Sequence, residues 1–394
     1  MERSREAIVL AGGFGTRLAH VVPDVCKPMA PVAGRPFLRY VLDQLDTMGF
    51  GHVVIADGYR REQIEQYFMG TYRGLQIDYS PEDEPLLTGG AVKKALDSCA
   101  NPYVFVFNGD TWFDLDFSAM EAAAKTNHPE AVLAAKRMRN FDRYGTLDVA
   151  PDGSIRAFRE KAPCAEGLIN GGVYLLRRDA LDNMPAKFSL ETDFFEGVVC
   201  NGALVSVECG GDFIDIGVPE DYRCAQAMLA DKQGKPCKLA LFDRDGTINV
   251  DTGHLHEPSK VQLIGSTVEA MCRYSEDLSW RIAVVSNQAG IGKGLYGAAE
   301  MRATNAEIER QLEEQGARVD GWYYCPHHPD YTGPCSCRKP APGMLVRAMR
   351  DFNACPRDCV MYGDMDKDRQ AAEAAGVRFV YVSRDFDPEV DGVK

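Results

Sequence analysis

Apolar segments rich in β-branched residues alternate with amphipathic stretches along the first half of the chain. Uniformly apolar or alternating runs predict strands, and apolar positions three and four apart predict helices. Regular alternation of the two predicts an α/β fold, Rossmann-like, with a mainly parallel sheet covered on both faces. The predicted elements are, in order, strand 7–11, helix 36–49, strand 52–57, helix 61–69, strand 75–80, helix 90–99 and strand 103–110.

The segment 145–161 departs from this alternation. It has two runs of alternating polarity on either side of Pro151, Asp152 and Gly153, which are residues that favour a tight turn. We therefore expect a small antiparallel hairpin inserted beside the main sheet.

A second alternating series follows the polar segment 231–238, in which Gly234 and Pro236 indicate a linker. The pattern predicts a second, Rossmannoid α/β domain. We place the two domains at 1–232 and 237–394, each of ordinary domain size.

Composition and charge narrow the range of partners. The chain has 394 residues, 45% of them hydrophobic, and a formal net charge of -14 at pH 7. Nucleic acid and anionic membranes would repel a chain of this net charge unless a basic patch attracted them, and the sequence shows no such patch. We therefore expect small-molecule substrates instead. No apolar run has the length of a membrane span or signal peptide, and 13 cysteines, an odd number, favour free thiols. Both features predict a cytoplasmic protein; the oligomeric state is left open.

A glycine-rich loop directly follows the first predicted strand. Gly12, Gly13 and Gly15 fall at the carboxyl edge of the sheet, where main-chain N–H groups can face phosphate oxygens. Arg17 and Lys27 would add positive charge for a phosphate. Taken alone, the glycines are equally well explained as a structural turn.

Two aspartates that are far apart in sequence also occupy predicted strand ends. Asp110 ends the strand 103–110, and Asp215 lies in a short apolar segment much later in the chain. Together the two carboxylates could hold Mg²⁺. Either one alone could equally be a turn or helix-capping carboxylate.

These features occur in the order seen in one enzyme family. Residues 7 to about 230 resemble the sugar-nucleotide pyrophosphorylases, and more narrowly the heptose 1-phosphate guanylyltransferases. The motifs that carry the resemblance are LAGGFGTRL, CKPMAPVAGRPFL, TGGAVKKAL, FNGD, REK, INGGVYLL and FIDIGVPEDY. The resemblance implies that Asp110 and Asp215 bind Mg²⁺ and that the triphosphate is held by Gly12, Gly13, Arg17 and Lys27. It also implies that Lys161 contacts the sugar phosphate, that Glu160 and Asn170 face the sugar, and that Gly89 lies near the base.

The second predicted domain opens with a pair of aspartates. Asp243 ends a buried strand, Asp245 follows two residues later, and Gly246 allows a sharp turn. Two carboxylates so close repel each other unless a cation lies between them, which favours a second Mg²⁺ site. One oxygen of Asp243 could then attack phosphorus while Asp245 exchanges a proton with the leaving alcohol. The alternative is an exposed acidic loop.

Polar groups suited to phosphate follow at later strand ends. They are Ser286, Asn287, Arg338, Lys339, Asp364 and Asp368. In this order they resemble the haloacid dehalogenase superfamily over residues 238 to about 383, and within it the heptose bisphosphate and histidinol phosphate phosphatases. The resemblance implies that Asp243 is the nucleophile, Asp245 the acid/base and a metal ligand, and Asp364 a further ligand, with Ser286 and Lys339 on the phosphoryl group. One position departs: Met365 stands where such phosphatases commonly carry lysine.

Three cysteines and a histidine cluster in the segment 325–337. Cys325, His327, Cys335 and Cys337 supply the four ligands of a closed structural Zn²⁺ site. The alternative is a group of free thiols beside a surface histidine. The phosphatases just named carry a similar loop.

The two resemblances together imply a bifunctional enzyme of nucleotide-activated heptose biosynthesis. Its second domain would remove the C7 phosphate of D-glycero-D-manno-heptose 1,7-bisphosphate, and its first would transfer GMP from GTP to heptose 1-phosphate. Two alternatives stay open: the same reactions on another sugar or nucleotide, or a histidinol phosphate-like phosphatase with a regulatory nucleotide-sugar-binding domain.

Overall fold

The computed structural model describes residues 4–13, 15, 17–18, 20–383 and 385–388. Of Asn127 it describes the backbone and not the side chain. The chain divides into two compact units. The first comprises 1–70 and 75–233, and the second comprises 71–74 and 234–394. Phe14 and Thr16 of the glycine loop lie outside the described residues.

Strands account for most of the first unit's core. A parallel group runs in the order β7, β1, β4, β6, and β12 pairs antiparallel with β7. The strands up to residue 215 are β1 Arg5–Leu10, β2 Pro31–Val32, β3 Arg35–Pro36, β4 Phe50–Ala56, β5 Thr71–Tyr72, β6 Leu75–Tyr79, β7 Tyr103–Asn108, β8 Thr111–Phe113, β9 Ala131–Phe141, β10 Thr146–Val149, β11 Ile155–Arg159, β12 Cys164–Arg177, β13 Leu204–Glu208 and β14 Phe213–Asp215.

Amphipathic helices connect these strands and bury their apolar faces. The third begins at Leu87, three residues before the predicted start, and ends at Leu96. The helices up to residue 228 are α1 Phe37–Thr47, α2 Arg61–Phe68, α3 Leu87–Leu96, α4 Phe117–Asn127, α5 Glu196–Val198 and α6 Pro219–Met228, with a π-helical turn at Leu190–Phe195.

The predicted hairpin is present. β10 and β11 pair antiparallel, from Thr146 opposite Arg159 to Val149 opposite Ile155. Gly153 in the turn has φ +86°, a left-handed conformation that glycine adopts without steric cost. β10 continues the pairing to β12, which joins the hairpin to the main sheet.

The second unit contains a five-stranded parallel sheet in the order β17, β16, β15, β18, β19. Both faces of this sheet are buried, because alternate residues of β15 belong to two separate hydrophobic clusters. The strands are β15 Lys238–Phe242, β16 Trp280–Asn287, β17 Gly321–Cys325, β18 Cys359–Gly363 and β19 Arg378–Tyr381. The helices are α7 Gly265–Glu276, α8 Ala289–Gly292, α9 Ala298–Glu314, α10 Pro329–Thr332, α11 Gly343–Asp351 and α12 Asp366–Ala375.

In the first unit the glycine loop and Asp110 follow the parallel strands β1 and β7, whereas Asp215 ends β14, which pairs antiparallel with β8. In the second unit, the loops after β15, β16 and β18 carry Asp243, Gln288 and Asp364. This edge is where ligands bind in open α/β sheets. Among the described residues, every helix is too short or too polar to pass through a lipid bilayer.

Candidate functional sites

A cavity of about 390 Å³ opens at the carboxyl edge of the first sheet. Its lining combines backbone of the glycine loop, the side chains of Lys27 and Asp110, and an apolar wall. The lining residues are Leu10, Ala11, Gly12, Gly13, Lys27, Pro28, Glu82, Pro85, Leu87, Thr88, Ala91, Asn108, Gly109 and Asp110. An apolar wall beside polar loop backbone suits a nucleotide, whose base is flat and whose phosphates are charged.

Two glycines beside this cavity allow neighbouring groups to come close to the backbone. A Cβ atom at Gly109 would lie 2.4 Å from the Leu10 carbonyl oxygen, and one at Gly12 would lie 2.5 Å from Glu82 Oε1. Gly15 has φ +60° and packs on the Lys27 side chain. The loop is therefore shaped around its neighbours, which a simple surface turn does not require.

Lys27 lies between the two predicted metal-binding carboxylates. Its ammonium group contacts Asp110 Oδ2 and lies 3.9 Å from Asp215 Oδ1. Burial, and next the charge of Asp110, raise the pKa of Asp215, while Lys27 lowers it. Two carboxylates facing one lysine keep an excess of negative charge, so this pair fits a divalent cation.

The structure does not bring every predicted residue of the first site into the cavity lining. Gly89 is buried, and a Cβ there would lie 2.2 Å from the Phe188 ring, so its small size serves packing. Asn170 Oδ1 accepts from the Gly172 N–H at 2.9 Å. Arg17, Glu160 and Lys161 are exposed and do not line the cavity.

Glu82 is a lining residue that the sequence did not single out. The Leu86 N–H donates to its Oε2 at 2.8 Å, which fixes the carboxylate above Gly12. Its segment, PEDEP, reads as a polar loop, and the sequence gives no signal that separates Glu82 from the neighbouring acids.

Lys339 is the centre of the second site. It is 2% exposed, and its ammonium group lies 2.7 Å from both Asp243 Oδ1 and Asp368 Oδ1. The third donor goes to the Val285 carbonyl oxygen at 2.8 Å. A buried lysine this close to two carboxylates is a fixed positive charge beside Asp243.

Three carboxylates surround this lysine closely enough to share a cation. Oxygens of Asp243, Asp364 and Asp368 lie within 4.8 Å of one another. Burial raises the pKa of Asp243 to about 6, and burial also raises that of Asp364. Since one lysine cannot neutralise three carboxylates, this cluster fits Mg²⁺.

The side chain of Asp245 does not belong to this cluster. Its carboxylate faces Arg244, whose Nη2 lies 2.9 Å from Oδ2. Asp368, which ends the first turn of α12 and is fully buried, is the third carboxylate of the cluster, and Asp245 as a metal ligand stays a prediction. The DxD spacing could not reveal this, because the guanidinium between the two aspartates decides where the second one points.

The other predicted phosphate contacts, Ser286, Asn287 and Arg338, have different surroundings. Ser286 is 3% exposed, and its Oγ accepts from Gln288 Nε2 at 2.7 Å. Asn287 is used structurally, because its side chain bonds both the N–H and the carbonyl of Lys339 at 3.0 Å. Arg338 is partly exposed, with Nη1 3.3 Å from the His327 carbonyl oxygen.

Cys325, His327, Cys335 and Cys337 come together as predicted. Cys325 Sγ lies 3.6 Å from Cys335 Sγ, 3.2 Å from Cys337 Sγ and 3.6 Å from His327 Nδ1. Hydrogen bonding, first from Cys325, lowers the pKa of Cys337 to about 5, which favours the thiolate. Ligand atoms about 3.3–3.8 Å apart are what bond lengths of about 2.0–2.3 Å around one tetrahedral ion require, so the set fits Zn²⁺.

Comparison with known proteins gives different relatives for the two units. Residues 6–232 match the nucleotidyl transferase family, and residues 336–391 match a HAD-hydrolase-like family. The D-glycero-alpha-D-manno-heptose 1-phosphate guanylyltransferase of Aneurinibacillus thermoaerophilus is 42% identical over 226 residues, which is 57% of this chain and 98% of that protein. The crystal structure of HddC from Yersinia pseudotuberculosis complexed with GMP-PN is 31% identical, with a TM-score of 0.53, over 57% of this chain and 99% of HddC.

The second unit has its own relatives. The D-glycero-beta-D-manno-heptose-1,7-bisphosphate 7-phosphatase of Yersinia pestis is 38% identical over 144 residues, which is 35% of this chain and 76% of that protein. The predicted resemblances are thus confirmed for both halves. The chain belongs to the nucleotidyl transferase family through its first unit and, through its second, to the HAD-like hydrolases that include the heptose bisphosphate phosphatases.

Proposed function

We propose that this chain is a bifunctional enzyme that hydrolyses the C7 phosphate of D-glycero-D-manno-heptose 1,7-bisphosphate and then transfers GMP from GTP to the heptose 1-phosphate. One observation carries the proposal: the second unit resembles 7-phosphatases that form a heptose 1-phosphate, and the first unit resembles a guanylyltransferase that consumes a heptose 1-phosphate. The products of the second step are GDP-heptose and pyrophosphate.

The first unit needs no covalent nucleophile. An oxygen of the sugar 1-phosphate attacks the α-phosphorus of GTP, a new P–O bond forms, and the bond to the β-phosphate oxygen breaks in line. We assign the triphosphate to the backbone of Gly12 and Gly13 and to the charges of Lys27 and Arg17. Lys161 and Glu160 lie on the exposed segment after β11, where we assign them to the sugar phosphate.

The second unit works through a phosphoaspartate. Asp243 attacks the C7 phosphorus, the P–O bond to the sugar breaks, and Asp245 gives a proton to the sugar oxygen. Asp245 then takes a proton from the water that hydrolyses the phosphoaspartate. Lys339 holds Asp243 Oδ1, and Ser286 lies at the adjacent strand end, where its hydroxyl can bind a phosphoryl oxygen.

Both sites fit Mg²⁺, which when bound would offset the charge of the phosphates. Asp110 and Asp215 would hold it in the first unit, and Asp243, Asp364 and Asp368 in the second. Zn²⁺ has a different role: four ligands close its site, so we assign it to stabilising the loop 325–337.

Removing one zinc ligand should destabilise the second unit. We expect Cys335→Ser to reduce bound zinc from about one per chain to a trace and to cost about 2 kcal/mol or more of stability, which lowers Tm by about 4–8 °C. Elemental analysis and a thermal melt measure both. Cys355→Ser, at an exposed cysteine of the same unit, is the matched control and should change neither. Wild-type protein without zinc, equally stable in a strong chelator, would contradict the assignment.

The configuration at C1 links the two reactions. Hydrolysis at C7 breaks no bond at C1, so the anomer that enters the phosphatase is the anomer that reaches the transferase. The first unit's relative acts on the alpha anomer, whereas the second unit's relatives act on the beta anomer. If one chain performs both steps, one of its units must accept a different anomer from its relatives. Because the first unit is the more similar to its relative, at 42% against 38% identity, we propose that the phosphatase is the unit that departs and accepts the alpha anomer.

A single incubation tests this function. Wild-type protein with GTP, Mg²⁺ and the alpha bisphosphate should release phosphate first, then pyrophosphate, and accumulate GDP-heptose that mass spectrometry identifies. The beta bisphosphate should give no nucleotide sugar.

Other results would exclude the proposal. Hydrolysis of histidinol phosphate in preference to both bisphosphates, with no pyrophosphate from any nucleoside triphosphate, would favour the regulatory alternative. A different nucleotide sugar from a panel of sugar phosphates would keep both reaction types and change the substrate.

A further inference from the structure

Arg244 lies between the two aspartates of the second site and is almost fully buried. Its side chain is 1% exposed, whereas that of its neighbour Asp245 is 20% exposed. A buried guanidinium is costly unless its donors are paired. Here Nε donates to Asp245 Oδ1 at 3.1 Å, and Nη2 donates to Oδ2 at 2.9 Å. This two-pronged contact fixes the plane of the carboxylate as well as its position.

The far side of the guanidinium is held by two other elements. Nη1 donates at 2.9 Å to Oδ1 of Asn305, a residue in the middle of α9. Nη2 also donates to the Leu255 carbonyl oxygen, at 2.9 Å. A helix and a loop more distant in sequence therefore set where Arg244 points. Because both ends of the contact are fixed, Asp245 cannot turn freely towards the carboxylate cluster.

Two neutral donors complete the surroundings of Asp245. Asn249 Nδ2 donates to Oδ1 at 3.3 Å, and Gln288 Nε2 donates to Oδ2 at 3.0 Å. Neutral hydrogen bonds are weaker than charged ones, so they can give way to a substrate oxygen while the guanidinium contact stays in place. The partly exposed Asp245 carboxyl group thus keeps one defined position, and an oxygen becomes available for proton transfer when a neutral donor gives way.

We propose that Arg244 is a positioning residue that holds the Asp245 carboxyl group where it can protonate the leaving oxygen of a sugar phosphate. The inference rests on the proposed phosphatase function. In the step concerned, the bond from Asp243 to phosphorus forms, the bond from phosphorus to the sugar oxygen breaks, and the proton of Asp245 passes to that oxygen. A sugar alkoxide is a poor leaving group without this proton, whereas p-nitrophenolate leaves readily without one.

This difference between leaving groups provides the test. We expect Arg244→Met to lower kcat/KM for heptose 1,7-bisphosphate by about 100-fold, the lower end of what a general acid contributes, but by no more than about threefold for p-nitrophenyl phosphate. The parameter kcat/KM reports the steps up to P–O cleavage, so later hydrolysis of the phosphoaspartate does not obscure the comparison. Arg244→Lys, which keeps a charge but not the fork, should show a smaller difference of the same sign.

Arg310→Met is the matched control, because it makes the same change at an exposed arginine of α9 whose partners are Glu307 and Glu314. It should change kcat/KM for the two substrates by similar factors. Equal losses for the two substrates in Arg244→Met would overturn the positioning role and leave a purely structural one. If that variant does not melt cooperatively, the ratio for Arg244→Lys decides in the same way. A wild-type protein that hydrolyses neither substrate would refute the proposed phosphatase instead.

Discussion

Asp243→Asn should abolish phosphate release from heptose 1,7-bisphosphate and leave guanylyl transfer to authentic heptose 1-phosphate nearly unchanged. An amide oxygen is a poor nucleophile, so we expect phosphate release to fall by at least about 10³-fold. The amide also removes one charge from a cluster in which the Lys339 ammonium lies 2.7 Å from two carboxylates. Phosphate release and pyrophosphate release, measured on one preparation, give the two activities.

The control is Asp366→Asn, at an exposed aspartate in the first turn of α12 that pairs with Arg369 at 2.6 Å. An exposed pair of this kind contributes little, so phosphatase activity should stay within about twofold of wild type. Rapid guanylyl transfer onto the intact bisphosphate by Asp243→Asn, giving a GDP-heptose that keeps its C7 phosphate, would reverse the proposed order of the reactions. Loss of both activities in a folded Asp243→Asn protein would contradict two independent sites.

The sequence predicted the fold well because the strands are short, apolar and followed by polar loops. β15 and β18 are almost continuously buried, and each is followed directly by an aspartate. Hydrophobic pattern alone therefore placed Asp243 and Asp364 at one sheet edge. The hairpin at Gly153 was equally predictable, since its turn residues determine its geometry.

The directions of side chains were less predictable. The sequence does not indicate that Asp245 pairs with Arg244, or that Arg244 in turn contacts Asn305, 61 positions away. It also does not indicate that the Asn287 side chain bonds the backbone of Lys339, which lies 52 residues later. Such partners are set by tertiary packing, and spacing within a motif carries no information about them.

Packing also explains the glycines. Gly12 was expected to bind phosphate, and the structure shows a further reason for glycine there, because Glu82 occupies the space of a Cβ. Gly89 near the base stays a prediction, and the structure adds that the Phe188 ring occupies the space of a Cβ there. At Gly12 and Gly89 a side chain would meet a neighbour, and only the fold shows which neighbour takes the space.

Asp110→Asn should have the opposite effect to Asp243→Asn: pyrophosphate release should fall by at least about 100-fold while phosphatase activity stays unchanged. Asp110 contacts Lys27 and faces Asp215. The amide therefore removes half of the negative charge that a divalent cation would bind and leaves Asp215 as the one carboxylate of the pair beside Lys27.

The cause of the loss can be measured. If the loss is in the chemical step, activity should not return at saturating GTP. If the loss is in metal binding, activity should recover in part at high Mg²⁺. Asp83→Asn, at a carboxylate whose side chain is 87% exposed, is the control and should behave as wild type. A folded Asp110→Asn protein that still forms GDP-heptose at the wild-type rate would remove Asp110 from the site and, with it, the metal site that we assign to the first unit.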